Sequence, residues 1–131
     1  DVTPAKGKGR ILLVDDEPSI TGWTSQALFR LGYEVVSFNN GPDAIRKLNN
    51  TESRFDLVLT DLAMPGMSGL EMSKEIKTIQ PEIPIILCTG FSERITLENL
   101  RESGISKMVM KPLIASELAQ VISEALNQKI E

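Results

Sequence analysis

The sequence predicts an α/β domain whose parallel sheet is covered by helices on both faces. Three observations carry this reading. Five short apolar runs punctuate the chain, amphipathic stretches separate them, and the length of 131 residues suits a single domain. Several of the runs are continuously apolar rather than alternating, which suits parallel strands buried on both faces.

The five runs are Ile11–Val14, Glu34–Phe38, Asp56–Thr60, Ile83–Cys88 and Lys107–Met110. Between the first two, Ile20, Trp23, Thr24, Ala27, Leu28 and Leu31 recur at helical spacing. Pro18 suits the first turn of that helix and Gly32 its C-terminal stop. Ala44, Ile45 and Leu48 mark a second helix, and Leu70, Met72, Ile76 and Ile79 a third, ended by Pro81. Ile95, Leu97 and Leu100 give a weaker fourth that stops near Gly104. Leu118, Val121, Ile122, Ala125, Leu126 and Ile130 give a fifth. Residues 1–9, with one proline, two glycines, two lysines and no apolar periodicity, read as a flexible lead-in. Residues 10–131 read as one domain, with no internal repeat, no second domain and no output module. A start at Asp1 rather than at methionine is read as a fragment or a processed chain.

Composition narrows the function. Net charge is −4 and the basic residues form no long run, which argues against nucleic-acid binding through a basic face. The sequence contains no histidine, so imidazole metal ligands and histidine general bases are excluded. The single cysteine, Cys88, permits no internal disulfide and fits a reducing compartment. Neither a signal peptide nor a membrane-spanning apolar run is visible, so no direct membrane contact and a cytoplasmic location are expected, a membrane anchor on a parent protein being left open.

Ligands of open α/β sheets bind at the carboxyl ends of the strands, near the point where strand order reverses. Asp15 and Asp16 follow the first strand, Asp61 the third, Thr89 the fourth and Lys111 the fifth. In a flavodoxin-like (βα)5 sandwich, with strand order 2-1-3-4-5, the first and third strands are neighbours, so the three aspartates are expected to converge. Clustered carboxylates repel and raise one another's pKa values. A hard divalent cation relieves that repulsion, and Mg²⁺ suits a few carboxylates together with water and phosphate oxygens. Lys111 adds positive charge, Thr89 a hydroxyl donor, and a carboxylate can itself be the nucleophile that forms an aspartyl phosphate. Each residue also has a plainer reading. The Asp15-Asp16 pair would serve as a helix cap, Asp61 as a turn residue before Pro65-Gly66, and Thr89 and Lys111 singly carry no signal. Only their joint placement favours chemistry.

Four segments carry a family resemblance. Ile11-Leu12-Leu13-Val14-Asp15-Asp16-Glu17-Pro18 and the stretch from Asp56 through Asp61 to Gly69 resemble the first two motifs of response-regulator receiver domains. Ile85-Ile86-Leu87-Cys88-Thr89-Gly90 and Lys111-Pro112-Leu113 resemble the later ones, and the resemblance spans about residues 9–130. It implies two-component phosphorelay signalling, with a phosphoacceptor that promotes its own phosphorylation and dephosphorylation rather than an enzyme. Asp61 would take the phosphoryl group from a phosphohistidine of a histidine kinase or of a histidine phosphotransfer domain. Asp16, Asp61 and the backbone carbonyl of Ala63 would bind Mg²⁺ directly, and Asp15 largely through water. Thr89 would contact the phosphoryl group, Lys111 would pair with Asp61 and then with the phosphate, and the Lys111–Pro112 bond resembles a family position that is cis. Self-association as a weak dimer is left open.

Two positions depart from the family pattern. Met108 stands where an aromatic switch residue is usual, so the coupling between Thr89 and a ring is expected to be weaker. Ala63 and Phe91 occupy two variable positions that tune phosphoryl lifetime. Cys88 and Trp23 are expected in the core, and the methionines in packing and loops.

Three other functions compete with this reading. A phosphohydrolase of the haloacid dehalogenase class needs Asp-x-Asp and a substrate cap, whereas this chain has Asp15-Asp16-Glu17 and no room for a cap. An FMN binder needs a phosphate loop where these carboxylates would repel phosphate. A phosphorylation-independent interaction module would lack some of the five site residues. Within the receiver reading, Thr89-Gly90-Phe91-Ser92-Glu93 and the lead-in resemble the C-terminal receiver of a hybrid histidine kinase more than a free-standing regulator.

Overall fold

Continuous apolar strands need cover on both faces, and the chain supplies it with helices of two opposite sets. The computed structural model describes residues 8–50, 54–90 and 93–130, so the lead-in falls almost wholly outside the described residues and Phe91 does too. In chain order the elements are β1 (Arg10–Val14), α1 (Pro18–Arg30), β2 (Glu34–Phe38), α2 (Gly41–Asn49), β3 (Leu57–Asp61), α3 (Gly69–Ile79), β4 (Ile85–Thr89), α4 (Leu97–Glu102), β5 (Lys107–Met110) and α5 (Ala115–Ile130). The strands form one parallel sheet in the order β2-β1-β3-β4-β5, as expected.

Side chains alternate across the sheet and divide the core in two. Ile11, Leu13, Leu57, Leu59, Ile86 and Cys88 meet Leu28 of α1 and Leu118 and Ile122 of α5. Leu12, Val14, Val58 and Ile85 meet Ala44 and Leu48 of α2 and Met72 and Ile76 of α3 on the other face. Because both faces are buried, the strand sequences cannot alternate in polarity, and β3 and β4 are buried throughout.

Local signals set the helix ends. Pro18 opens α1, and Gly32, at φ 102°, follows its end where a side chain would be strained. Ser68 and Glu71 form a reciprocal capping box at the start of α3. The first residue of α3, Gly69, has a steric reason: a Cβ there would lie 2.2 Å from the Asp61 carbonyl oxygen. Glycine thus lets α3 approach the end of β3 and fixes the chain that leaves Asp61.

Two expectations about side chains are corrected. Trp23 is not core; half of it is exposed. Helix α1 buries Thr21, Thr24 and Leu28, one row at helical spacing, and Trp23 sits about 100° away from Thr24 around the axis. The methionines divide. Met64 and Met72 are buried as expected, but Met108 and Met110 are exposed on the edge strand β5, where Val109 alone is buried. The neighbouring helix α4 has six residues and buries none of them, so it leaves that face uncovered.

Candidate functional site

The parallel sheet delivers the five side chains singled out in the sequence to one edge. Asp15 and Asp16 leave β1, Asp61 ends β3, Thr89 ends β4 and Lys111 follows β5. Asp61 and Thr89 are the last residues of their strands rather than the first beyond them, a shift of one residue at each boundary. Because β1 and β3 are paired neighbours, the carboxylates of Asp15, Asp16 and Asp61 each place an oxygen within 4.8 Å of the others. Asp15 and Asp61 are buried, Asp16 lies half-buried at the rim, and Ala63 is exposed in the loop that follows Asp61.

Lys111 ties the cluster together. Its ammonium lies 2.9 Å from Asp61 Oδ1 and 3.3 Å from Asp15 Oδ2. Its backbone N–H donates to the Thr89 carbonyl at 2.8 Å, which anchors the chain that carries the ammonium inward, and the Lys111–Pro112 peptide is cis. The other oxygen of Asp15 accepts from Glu17 N–H at 3.0 Å, and the Asp15 carbonyl accepts from Asn39 Nδ2 at 2.8 Å. Thr89 is buried beside this pair of charges, with 3% of its surface exposed.

The plainer readings lose ground here. The N-cap of α1 is Glu17, and no side-chain oxygen caps that helix. Asp61 is a strand residue bound to a lysine, not a turn residue.

Burial pushes the Asp61 carboxyl pKa up, the Lys111 hydrogen bond opposes this, and the charges of Asp15 and Glu93 push it up further. Burial pulls the Lys111 pKa down, but the bond to Asp61 and the two aspartate charges outweigh it, so the net shift is upward and the ammonium is held charged. Cys88 lies opposite Asp61 in the β3–β4 register, and burial pushes its thiol up to about 12. It is therefore an inert core residue, as expected.

Next to the cluster, Ile20, Trp23, Thr24, Pro112 and Leu113 line a mainly apolar cavity of about 530 Å³ that reaches Lys111 and Gly90. Two participants escaped the sequence reading. Asn39 holds the Asp15 backbone from the end of β2, and Glu93 accepts a hydrogen bond from Gly90 N–H. Neither carries a spacing signal, because each reaches the site from a loop.

Comparison with known proteins agrees with this geometry. Residues 11–123 match the model of the response regulator receiver domain, and the chain belongs to that family of two-component signalling domains. It is 40% identical over 116 residues to the transcriptional regulatory protein ZraR of Klebsiella oxytoca, covering 88% of this chain but 26% of that protein. The chain thus spans about a quarter of the length of such curated relatives. A CheY-like receiver domain protein from Methanospirillum hungatei superposes with a TM-score of 0.84 at 31% identity, covering 95% of this chain and 98% of that one. The receiver domain of the sensor histidine kinase PA1611 from Pseudomonas aeruginosa superposes with a TM-score of 0.81 at 27% identity, covering 92% and 99%. That structure has a magnesium ion coordinated in its active-site cleft.

Proposed function

We propose that Asp61 is the phosphoacceptor of this receiver domain and that Asp15, Asp16, Asp61 and the Ala63 carbonyl hold Mg²⁺ for the transfer. The observation that carries the reading is the convergence of three carboxylates within 4.8 Å around a lysine that bridges two of them. The donor set is all oxygen and rich in charge, which fits a hard cation and no softer metal. Bound there, Mg²⁺ would supply the positive charge that lets anionic carboxylates and an anionic phosphoryl group share one site.

The protein's own groups account for the rest. A carboxylate oxygen of Asp61 forms a bond to phosphorus while the bond from phosphorus to the donor's imidazole nitrogen breaks. The donor nitrogen keeps the electron pair, and the product on Asp61 is an acyl phosphate. Lys111 stands beside the arriving charge and offsets it without a proton transfer. Thr89 offers its hydroxyl to a phosphoryl oxygen. The donor is a phosphohistidine of a histidine kinase or a histidine phosphotransfer domain, and the domain comprises residues 10–131 behind a lead-in of residues 1–9. The location that goes with this reading is cytoplasmic; among the described residues no helix is long and apolar enough to cross a membrane. The exposed pair Met108 and Met110 on edge strand β5 supports weak self-association through that face.

Phosphorylation by acetyl phosphate, followed by intact mass, tests the function. One phosphoryl group is expected with Mg²⁺ or Mn²⁺ and none after chelation. Calorimetry tests the ligand set. Both oxygens of Asp15 already have protein partners, so Asp16→Ala is expected to weaken Mg²⁺ binding more than Asp15→Ala. Equal affinity in both variants and the wild type rejects the assignment.

Met108 bears on the response that follows. It pairs with Leu87 across the β4–β5 ladder and is half-exposed, with flexible torsions and no hydroxyl. Such a side chain adapts to movement of Thr89 without two sharply distinct positions, so the surface around β5 and α4 is expected to respond weakly. In shift mapping with beryllofluoride, Met108→Tyr is expected to enlarge the changes over residues 90–110. Large wild-type changes with no gain in the variant would show that methionine switches as well as a ring.

A further inference from the structure

The β3–β4 ladder stops at the mouth of the site in a way that phosphoryl acceptance by Asp61 leaves unexplained. Leu62 N–H donates to the Cys88 carbonyl at 3.0 Å, as a continuing parallel ladder requires. The next rung of such a ladder would join the Leu62 carbonyl to Gly90 N–H. Neither group is used that way. The Leu62 carbonyl accepts from Gly69 N–H at 2.8 Å, and Gly90 N–H donates to Oε1 of Glu93. A Cβ on Gly90 would come within 3.0 Å of that same oxygen, so the carboxylate lies close against the backbone there. Glu93 is half-buried, and its negative charge reaches Asp61, where it adds to the upward push on the carboxyl pKa.

An amide released from a sheet ladder one residue beyond Thr89 is a donor suited to an anionic oxygen at the strand ends. In this structure a carboxylate of the protein already occupies it. We propose that Glu93 is a positioning residue for phosphoryl acceptance, an internal competitor that holds the Gly90 amide and opposes negative charge arriving at Asp61. The inference rests on Asp61 being the phosphoacceptor. A phosphoryl group brings about −1.5 to −2 charges at neutral pH. It repels the Glu93 carboxylate and frees the Gly90 N–H for a phosphoryl oxygen. Glu93 therefore stabilises the unphosphorylated state and sets how readily the site accepts and keeps its group.

Charge makes the proposal testable, because the same carboxylate attracts a cation and repels an anion. Glu93→Gln keeps an oxygen acceptor but loses the charge, and Glu93→Ala loses both. Trp23 and Gly90 line the same cavity, so Trp23 fluorescence can follow titrations with Mg²⁺ and then with beryllofluoride at saturating Mg²⁺. Both variants are expected to bind Mg²⁺ slightly more weakly and beryllofluoride about three- to tenfold more tightly, with Glu93→Ala showing the larger gain. The Gly90 amide resonance is expected to move upfield in Glu93→Ala before any ligand is added. A purely structural role would weaken both ligands together. Wild type that binds beryllofluoride, with variants that bind it equally or less well, overturns the inference about Glu93 and leaves the phosphoacceptor standing. Wild type that fails to bind beryllofluoride with Mg²⁺ overturns both.

Discussion

Asp61→Asn is expected to abolish phosphorylation and, at neutral pH without Mg²⁺, to make the protein more stable. The first effect follows from chemistry. The amide oxygen of asparagine carries no negative charge and is a far weaker nucleophile than a carboxylate. Acetyl phosphate should therefore add no mass to the variant under conditions that fully modify wild type. Modification at the wild-type rate would place the acceptor elsewhere. The second effect follows from burial. The folded state raises the Asp61 carboxyl pKa, chiefly by desolvation. Between the unfolded and folded values the native state binds more protons, so this group's contribution to stability is full at low pH and lost as pH rises through the folded value. At neutral pH, wild type holds an ionised carboxylate that the fold disfavours. Asparagine removes that charge and still offers Lys111 an oxygen. In denaturant titrations with chelator, the variant's midpoint is expected above that of wild type at pH 7, with the gap closing toward pH 3. A lower midpoint at pH 7 would show that the Lys111 pair outweighs desolvation.

The sequence showed the fold through its strands and missed the surface of its helices. Ile11–Val14 and Ile85–Leu87 are apolar because both sheet faces are covered, and that cover is a property of the whole architecture written into every strand. The aspartates, Thr89 and Lys111 were legible for the same reason, since a parallel sheet brings all its strand ends to one edge. Trp23 was misplaced because a helical stripe gives the period of burial without its phase, and Thr24 is the buried member of that turn. Met108 and Met110 look like core from composition and are exposed because α4 is too short to cover β5. Glu93 and Asn39 were invisible because their roles depend on loop paths, which no periodicity encodes.

Lys111→Ala is expected to slow phosphoryl acceptance about 10²- to 10³-fold while leaving Mg²⁺ binding no weaker than in wild type. The two halves of this expectation come from the same geometry. The ammonium lies 2.9 Å from Asp61 and 3.3 Å from Asp15, so it neutralises the cluster in the metal's absence. Removing it leaves two buried carboxylates without that partner, and the cation then no longer competes with the ammonium for Asp15 Oδ2 and Asp61 Oδ1. Mg²⁺ affinity should hold or rise. The transferring group gains no such relief. It brings further negative charge, and the variant lacks the one side-chain cation among the described residues that contacts both buried aspartates. Stability should move the other way from Asp61→Asn. The raised Lys111 pKa gives stability that is fully present at neutral pH and lost only as pH rises through the folded value, so the substitution forfeits it there. Loss of one partner from a largely buried pair costs about 1–3 kcal/mol after allowing for the lysine's partial exposure. Added Mg²⁺ should recover more of this in the variant than it adds to wild type. Calorimetric Mg²⁺ titrations, paired with acetyl phosphate kinetics and chelated denaturant melts, separate the two roles. A variant that binds Mg²⁺ poorly would make Lys111 a structural support of the metal site, and one that accepts phosphoryl at the wild-type rate would remove it from the chemistry.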